Sequence, residues 1–365
     1  MILLNAAALR QQGNGSRKNR IREVNGMADF LVSDFLDLLY EDLRKDFMSP
    51  LQVGKERWES YKAGRLSEIR QLLRIDLLEN KYEEALDYTL LESHKEDRIT
   101  IEKYKVERIK KLSLCVYVLR PDTGNGKALL YLNGHDTRGA KGVFGAEGRV
   151  KADGNSEKAL SMEMASMGYL VLVPELFGFG EAKRKDAPEG TDACASCSML
   201  APRLLNSGMN LVGIRVFEAM KTLDFAEKAF AIHSFGAYGI SGGGQVCNYA
   251  GVLDDRIEAV MIAGYPNLYK YSILAMDHCI CNYVPGQLEA GESHEITSLA
   301  APKKLLTING RKDPIFPLQG SVEAFQLLED VYEMLGVPER YSHVLFDGGH
   351  ENSVPDVCGW LRDNY

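Results

Sequence analysis

The pentapeptide Gly239-Ile240-Ser241-Gly242-Gly243 constrains this chain more than any other stretch. It follows an apolar run, Ala237-Tyr238-Gly239-Ile240, that reads as the end of a buried strand, and it precedes Gln245-Val246-Cys247-Asn248-Tyr249-Ala250, which continues as a helix. A serine in a G-x-S-x-G pattern between strand and helix sits on a sharp turn that lifts its hydroxyl into open space. The flanking glycines let strand and helix approach without a Cβ clash. A bare G-x-S-x-G also arises by chance in a glycine-rich chain, and 34 glycines make this one such a chain.

The rest of the sequence supplies partners for that serine. A hydroxyl is a weak nucleophile until an imidazole takes its proton, and the imidazole needs a carboxylate to fix its tautomer. Residues 304–309 read as a strand, and Asp313 follows in the loop at its C-terminal end, where Pro314 cannot continue the strand. Residues 342–346 read as another strand, followed by Asp347-Gly348-Gly349-His350, a turn presenting one histidine. Ser241, Asp313 and His350 therefore occur in the order nucleophile, acid, base. Taken singly, Asp313 reads as a helix cap and His350 as a solvated loop residue; taken together with the turn they read as catalytic. Asp347 is the alternative acid, and His135 the alternative base.

Five segments carry a likeness: Asn133-Gly134-His135-Asp136, the turn at Gly239–Gly243, the stretch from His278 to Gly286, the stretch from Asn309 to Pro317, and Gly348-Gly349-His350-Glu351. From about Arg57 onward the chain resembles the acetyl-xylan-esterase and dienelactone-hydrolase-like branch of the α/β-hydrolases. The resemblance implies a serine esterase acting on short acyl or carbohydrate esters through Ser241, Asp313 and His350, and no cofactor is expected. Dienelactone hydrolase itself uses a cysteine nucleophile, so its lactone substrate does not carry over. A tetrahedral intermediate needs two amide donors where charge develops. Gly242 is read as one, and His135 or Asp136, in the loop after the apolar strand 128–132, as the other. That loop reads Asn-Gly-His where the family carries a His-Gly pair. His278, Asn282 and Tyr283 are read as substrate-binding.

The formal net charge of −8 and scattered Lys and Arg disfavour nucleic acid and anionic membranes as partners. No segment reads as a transmembrane span, and the apolar flavour of residues 1–9 lacks a basic flank, so the expected location is cytoplasmic. Seven cysteines cannot all pair within the chain and show no small-domain disulfide spacing. Cys194, Cys197, Cys279, Cys281 and His278 could assemble a thiolate zinc site, but Cys-x-Cys is short for a zinc knuckle. The expectation is therefore no metal, with the cysteines forming walls of a pocket.

The expected fold class is α/β: a doubly wound, mostly parallel sheet with an N-terminal helical extension. Residues 1–26 are polar and unpatterned and predict a mobile tail. Residues 27–95 are assigned to the extension, with apolar positions such as Phe35, Leu38, Leu39, Ile69, Leu72 and Leu73 at helical spacing. Its stripe would pack on the chain's own core or on a second copy, giving a homo-oligomer. Residues 96–365 form the catalytic domain, with loop-rich insertions at 178–208 and 265–300, where α/β sheets form their ligand crevice. Three functions stay open: a carboxylic ester hydrolase, a peptidase or amidase on the same triad, and a binding module without activity. The absence of propeller-like repeats favours the ester.

Overall fold

The computed structural model describes residues 32–45, 47–136, 138–144, 157–188 and 190–365. The expected tail, residues 1–26, lies outside the described residues. Contacts divide the chain into Met1–Lys45 and Asp46–Tyr365. In the first unit the described residues form one amphipathic helix, Val32–Lys45, none of whose side chains is buried within it.

Among the described residues the second unit has nine strands: β1 Glu83–Glu96, β2 Ile99–Ile109, β3 Leu112–Pro121, β4 Ala128–Leu132, β5 Leu170–Pro174, β6 Phe235–Ile240, β7 Ile257–Ala263, β8 Lys304–Gly310 and β9 Tyr341–Phe346. They order as β1-β2-β3-β5-β4-β6-β7-β8-β9. The first three strands form an antiparallel meander, and β3 also meets β5 antiparallel. From β5 through β4, β6, β7 and β8 to β9 every pairing is parallel. A parallel sheet must be covered on both faces, and the side chains divide accordingly. In β4, Ala128, Leu130 and Leu132 face one core while Leu129 and Tyr131 face the other. The first core is closed by the helices Leu211–Phe230 and Gly242–Leu253, the second by Glu157–Ser166 and Val354–Asn364.

Three sequence expectations change. The helical run ends at Tyr82, with helices Trp58–Leu72 and Ile75–Tyr82, and residues 83–96 form β1. The Glu, Ala and Leu residues of that stretch favour a helix locally, but pairing along β2 overrides the preference. Tyr88 packs edge-on to Tyr104 and Phe225 at 6.2 and 5.3 Å. Strand–helix alternation therefore begins only at β4, after the antiparallel meander. The first insertion holds a regular helix, Ala193–Asn206, capped by Asp192, whose carboxylate accepts the Ala195 N–H at 2.7 Å. The second insertion holds the short helices Gln287–Ala290 and Ser293–Ser298. Its polar residues are buried because they are bonded: Ser293 Oγ donates to the Asn267 carbonyl at 2.7 Å, and Glu292 accepts the Tyr269 N–H at 2.7 Å. Among the described residues no helix is long and apolar enough to cross a membrane.

Candidate active site

Ser241 joins β6 to the helix Gly242–Leu253 with φ 56° and ψ −123°, a conformation costly for a residue with a side chain. Two backbone bonds hold it there. Its N–H donates to the Ala263 carbonyl at 2.9 Å, and its carbonyl accepts the Gln245 N–H at 3.0 Å, opening the helix. The neighbouring glycines are required by space. A Cβ on Gly239 would lie 2.3 Å from the Gly243 carbonyl oxygen, and one on Gly243 would lie 2.0 Å from that of Leu132. Helix, β6 and the end of β4 therefore pass closer than any side chain allows.

The candidate acid and base sit on loops after β8 and β9 that are laced together. Arg311 N–H donates to the Phe346 carbonyl at 2.9 Å, and Lys312 N–H to the Gly348 carbonyl at 2.8 Å. Asp313 is buried, and each of its carboxylate oxygens has work. Oδ1 accepts the N–H groups of Ile315 and Phe316 at 2.8 and 2.9 Å, while Oδ2 faces His350 Nδ1 at 2.8 Å. With Oδ2 accepting, Nδ1 carries the proton and Nε2 keeps its lone pair. The Phe316 ring stacks on the imidazole at 5.6 Å with an interplanar angle of 23°. Gly264, one residue beyond the carbonyl that anchors Ser241, has φ +54°, and a Cβ there would lie 3.0 Å from His350 Cε1. The histidine ring thus rests beside the serine turn. Asp347 is exposed and paired with Lys312 at 2.7 Å, and the carboxylate that faces His350 is that of Asp313.

The loop after β4 lies against the turn from the other side. A Cβ on Gly134 would meet the Ile240 carbonyl oxygen and Ser241 Cβ at 3.3 Å each, and one on Gly242 would meet His135 Nδ1 at 2.7 Å. His135, read from sequence as an oxyanion residue or a substitute base, aims its Nε2 away from the serine, at Cys281 Sγ 2.7 Å distant. Asp136 accepts the Arg138 N–H at 2.8 Å and forms an ion pair with its guanidinium.

A cavity of about 430 Å³ opens over Ser241 and His350. Gly134, His135 and Asp136 line it on one side, His278, Cys279 and Asn282 on another, and Ile315 and Phe316 on a third. His278 Nε2 is buried with no hydrogen-bond partner in the protein among the described residues, and burial lowers this imidazole below its ordinary range. Asn282 is tied to its own wall: Nδ2 donates to the Cys279 carbonyl at 3.0 Å, and its backbone carbonyl accepts from Gln245 Nε2 at 2.9 Å. Tyr283, expected among the substrate contacts, lies outside the cavity lining with its hydroxyl 3.4 Å from the Ile273 carbonyl. The short helical turn Ile280–Asn282 faces its neighbour Asn282 inward and leaves Tyr283 on the far side, partly exposed.

Sequence reasoning missed Glu157, which lines the cavity. Burial, reinforced by the Asp136 charge, pushes its carboxyl up to about 7. It also missed Arg138, Met276 and Asn352 in the same lining. None of these carries a local motif; each is brought there by the fold.

No family model matches the chain. It is 26% identical over 242 residues, 64% of this chain and 77% of the other, to a Bacillus subtilis (strain 168) protein provisionally named hydrolase YtaP. Among solved structures, a Bacteroides fragilis protein provisionally assigned as an acetyl xylan esterase superposes with a TM-score of 0.69 at 15% identity, covering 94% of this chain and 97% of that one. A methylesterase superposes with a TM-score of 0.64 at 22% identity, covering 91% and 67%. A glucuronoyl esterase from Solibacter usitatus gives 0.56 at 15% identity, covering 80% and 90%. Sheet order, parallel pairing and these superpositions agree on one architecture: the chain has the α/β-hydrolase fold, with helices preceding the sheet in the sequence.

Proposed function

We propose that the chain is a serine carboxylic ester hydrolase acting on short-chain acyl esters of hydroxylated, carbohydrate-like alcohols. One observation carries the reading. A strained serine turn and a histidine whose Nδ1 is held by a buried, doubly amide-bonded carboxylate open into the same cavity.

The chemistry runs through an acyl-enzyme. His350 Nε2 takes the Ser241 proton as Oγ adds to the ester carbonyl, and Asp313 stabilises the imidazolium that forms. The negative oxygen of the tetrahedral intermediate is met by the Gly242 amide and by an amide of the His135–Asp136 loop. Its collapse breaks the bond to the alcohol oxygen, which takes the proton back from His350. Water then adds to the acyl group by the same route and releases the acid and free Ser241.

Two features favour a small acyl group and a polar alcohol. The cavity is modest and its walls mix Ile240, Ile315 and Phe316 with many polar groups, so a long alkyl chain finds little apolar surface to bury. Each methylene adds about 0.8 kcal/mol only where it leaves water. The unpartnered Nε2 of His278 offers a hydrogen bond to a substrate hydroxyl. The neighbours named for acetyl xylan and glucuronoyl esters support a sugar-linked substrate.

A panel of nitrophenyl esters of rising acyl length, run beside acetylated sugars and a peptide anilide, tests the reading. Turnover should peak between acetyl and butyryl, with acetylated sugars cleaved and the anilide inert. Preference for decanoyl esters would refute the small acyl pocket. Faster cleavage of anilide than acetate would make the chain an amidase.

A further inference from the structure

The cysteines were expected to be inert pocket walls, yet three of them converge with a histidine just behind the oxyanion loop. His135 comes from the loop after β4, Cys197 from the helix Ala193–Asn206 of the first insertion, and Cys279 and Cys281 from the second insertion. Their four donor atoms all lie within 4.8 Å of one another. His135 Nε2 is 2.7 Å from Cys281 Sγ, and the sulfurs of Cys279 and Cys281 are 3.4 Å apart. Zinc bonds of about 2.3 Å to sulfur and about 2.0 Å to nitrogen, set tetrahedrally, place donors roughly 3.5–3.8 Å apart. Small side-chain shifts convert this cluster into that arrangement. Cys194 and His278, grouped with these cysteines on sequence spacing, are not among the four.

We propose that His135, Cys197, Cys279 and Cys281 bind one zinc ion in a closed Cys3His site that anchors the oxyanion loop to both insertions. The donor set selects the metal: thiolates and an imidazole suit a soft, tetrahedral ion, and no carboxylate joins them. Four protein donors leave no open position, so the ion is structural and takes no part in ester cleavage. Binding displaces three thiol protons to solvent, leaving Zn²⁺ with three thiolates at a net charge of −1.

The surroundings supply the missing positive charge. Arg215 is buried, donates through Nη2 to Cys197 Sγ at 3.2 Å and through Nε to the Phe177 carbonyl at 3.0 Å, and lies 4.0 Å over the Phe179 ring. Phe179 in turn packs edge-on against the His135 imidazole at 5.2 Å. The guanidinium and the zinc centre together are neutral, which is what a buried charge requires. Ligation through Nε2 also fixes the other nitrogen of His135 as an N–H, at the edge that lies over Gly242. The metal would thereby hold this imidazole in one tautomer beside the serine turn.

Elemental analysis of the full chain, purified from zinc-supplemented medium under reducing conditions, should find about one zinc per chain. Cys279→Ser and Cys281→Ser should each lower that content at least tenfold, whereas Cys194→Ser, which alters the remaining exposed thiol of the region, should leave it unchanged. Reconstitution of the metal-free reduced protein with cobalt(II) should give the intense visible d–d bands and near-ultraviolet sulfur-to-metal charge transfer of a tetrahedral thiolate site. This readout needs no folded variant and no esterase activity. Absence of both stoichiometric zinc and the cobalt spectrum would overturn the proposal. So would a Cys279–Cys281 disulfide in the native protein that, once reduced, takes up no metal.

Discussion

Asp313→Asn is the substitution whose effect can be worked most fully from the geometry. Oδ1 of the aspartate receives two backbone N–H groups and Oδ2 receives His350 Nδ1. An asparagine of the same shape must turn its carbonyl oxygen to the N–H groups of Ile315 and Phe316. The reverse orientation would leave both donors unsatisfied in a buried site, at about 1–3 kcal/mol each. Its NH2 group then faces Nδ1, which must accept, and the histidine proton moves to Nε2. In that tautomer His350 cannot take a proton from Ser241. Restoring the working tautomer costs about 2–6 kcal/mol, or roughly a 30- to 10⁴-fold depletion at 1.36 kcal/mol per decade. Loss of the negative charge beside the imidazolium adds to this, so kcat/KM for a nitrophenyl acetate should fall about 10³- to 10⁴-fold. Asp313→Ala leaves the imidazole free to adopt either tautomer and should lose no more than the asparagine. Melting temperatures measured alongside should show both variants folded. Activity of Asp313→Asn within tenfold of the parent, or a larger loss in Asp347→Asn, would refute the assignment of the acid.

Ser241→Ala should abolish turnover while leaving the fold intact, because the hydroxyl faces the cavity; residual activity above about a thousandth of the parent in kcat would remove the serine from its role. Gly264→Ala puts a methyl 3.0 Å from His350 Cε1 on a backbone at φ +54°. It should cost roughly 1–2 kcal/mol of stability and at least tenfold in kcat, read by urea denaturation and initial rates; unchanged kcat would mean the imidazole has slack. Burial pushes Glu175 up to about 7 and Glu218 up to about 8 from an ordinary 4.5. Their folded-state protons contribute stability that is fully present below pH 4.5 and lost as pH rises through 8. In Glu218→Gln the carbonyl still accepts the Phe177 N–H, so the fall in urea midpoint between pH 5.5 and 8.5 should flatten relative to the parent; an identical slope would show that Glu218 is already ionised in the fold.

The serine turn was legible because its constraints are local. A residue held at positive φ between strand and helix needs glycines on both sides, and Gly239 and Gly243 occupy positions where a Cβ would collide with backbone. Asp313 and His350 were legible for a related reason: loops at the C-terminal ends of adjacent parallel strands, β8 and β9, must lie side by side. What escaped the sequence depends on partners far along the chain. Residues 83–96 look helical until β2 is available to pair, and Ala193–Asn206 reads as loop because its serine, cysteine and proline content hides a capped helix. Tyr283 was placed in the site by its neighbours, but one residue of a tight helical turn separates a side chain facing the cavity from one that faces away.

His135 shows the distinction within a single side chain. Its position after β4 tells of the oxyanion loop, since β4 lies beside β6 in register and the two strand ends must coincide. Its ring cannot be read that way. One nitrogen meets a sulfur 146 residues later in the chain, and the other lies over Gly242. Chain order therefore locates the backbone that meets the substrate's developing charge, whereas only the folded arrangement reveals which groups hold that backbone still. A loop carrying an oxyanion donor must be rigid, because a donor that reorganises during the reaction stabilises less charge. Tying His135 to two insertions that otherwise share no strand with it is a direct way to meet that requirement, and it places the stiffest point of the loop one residue from Gly134, where backbone meets Ser241.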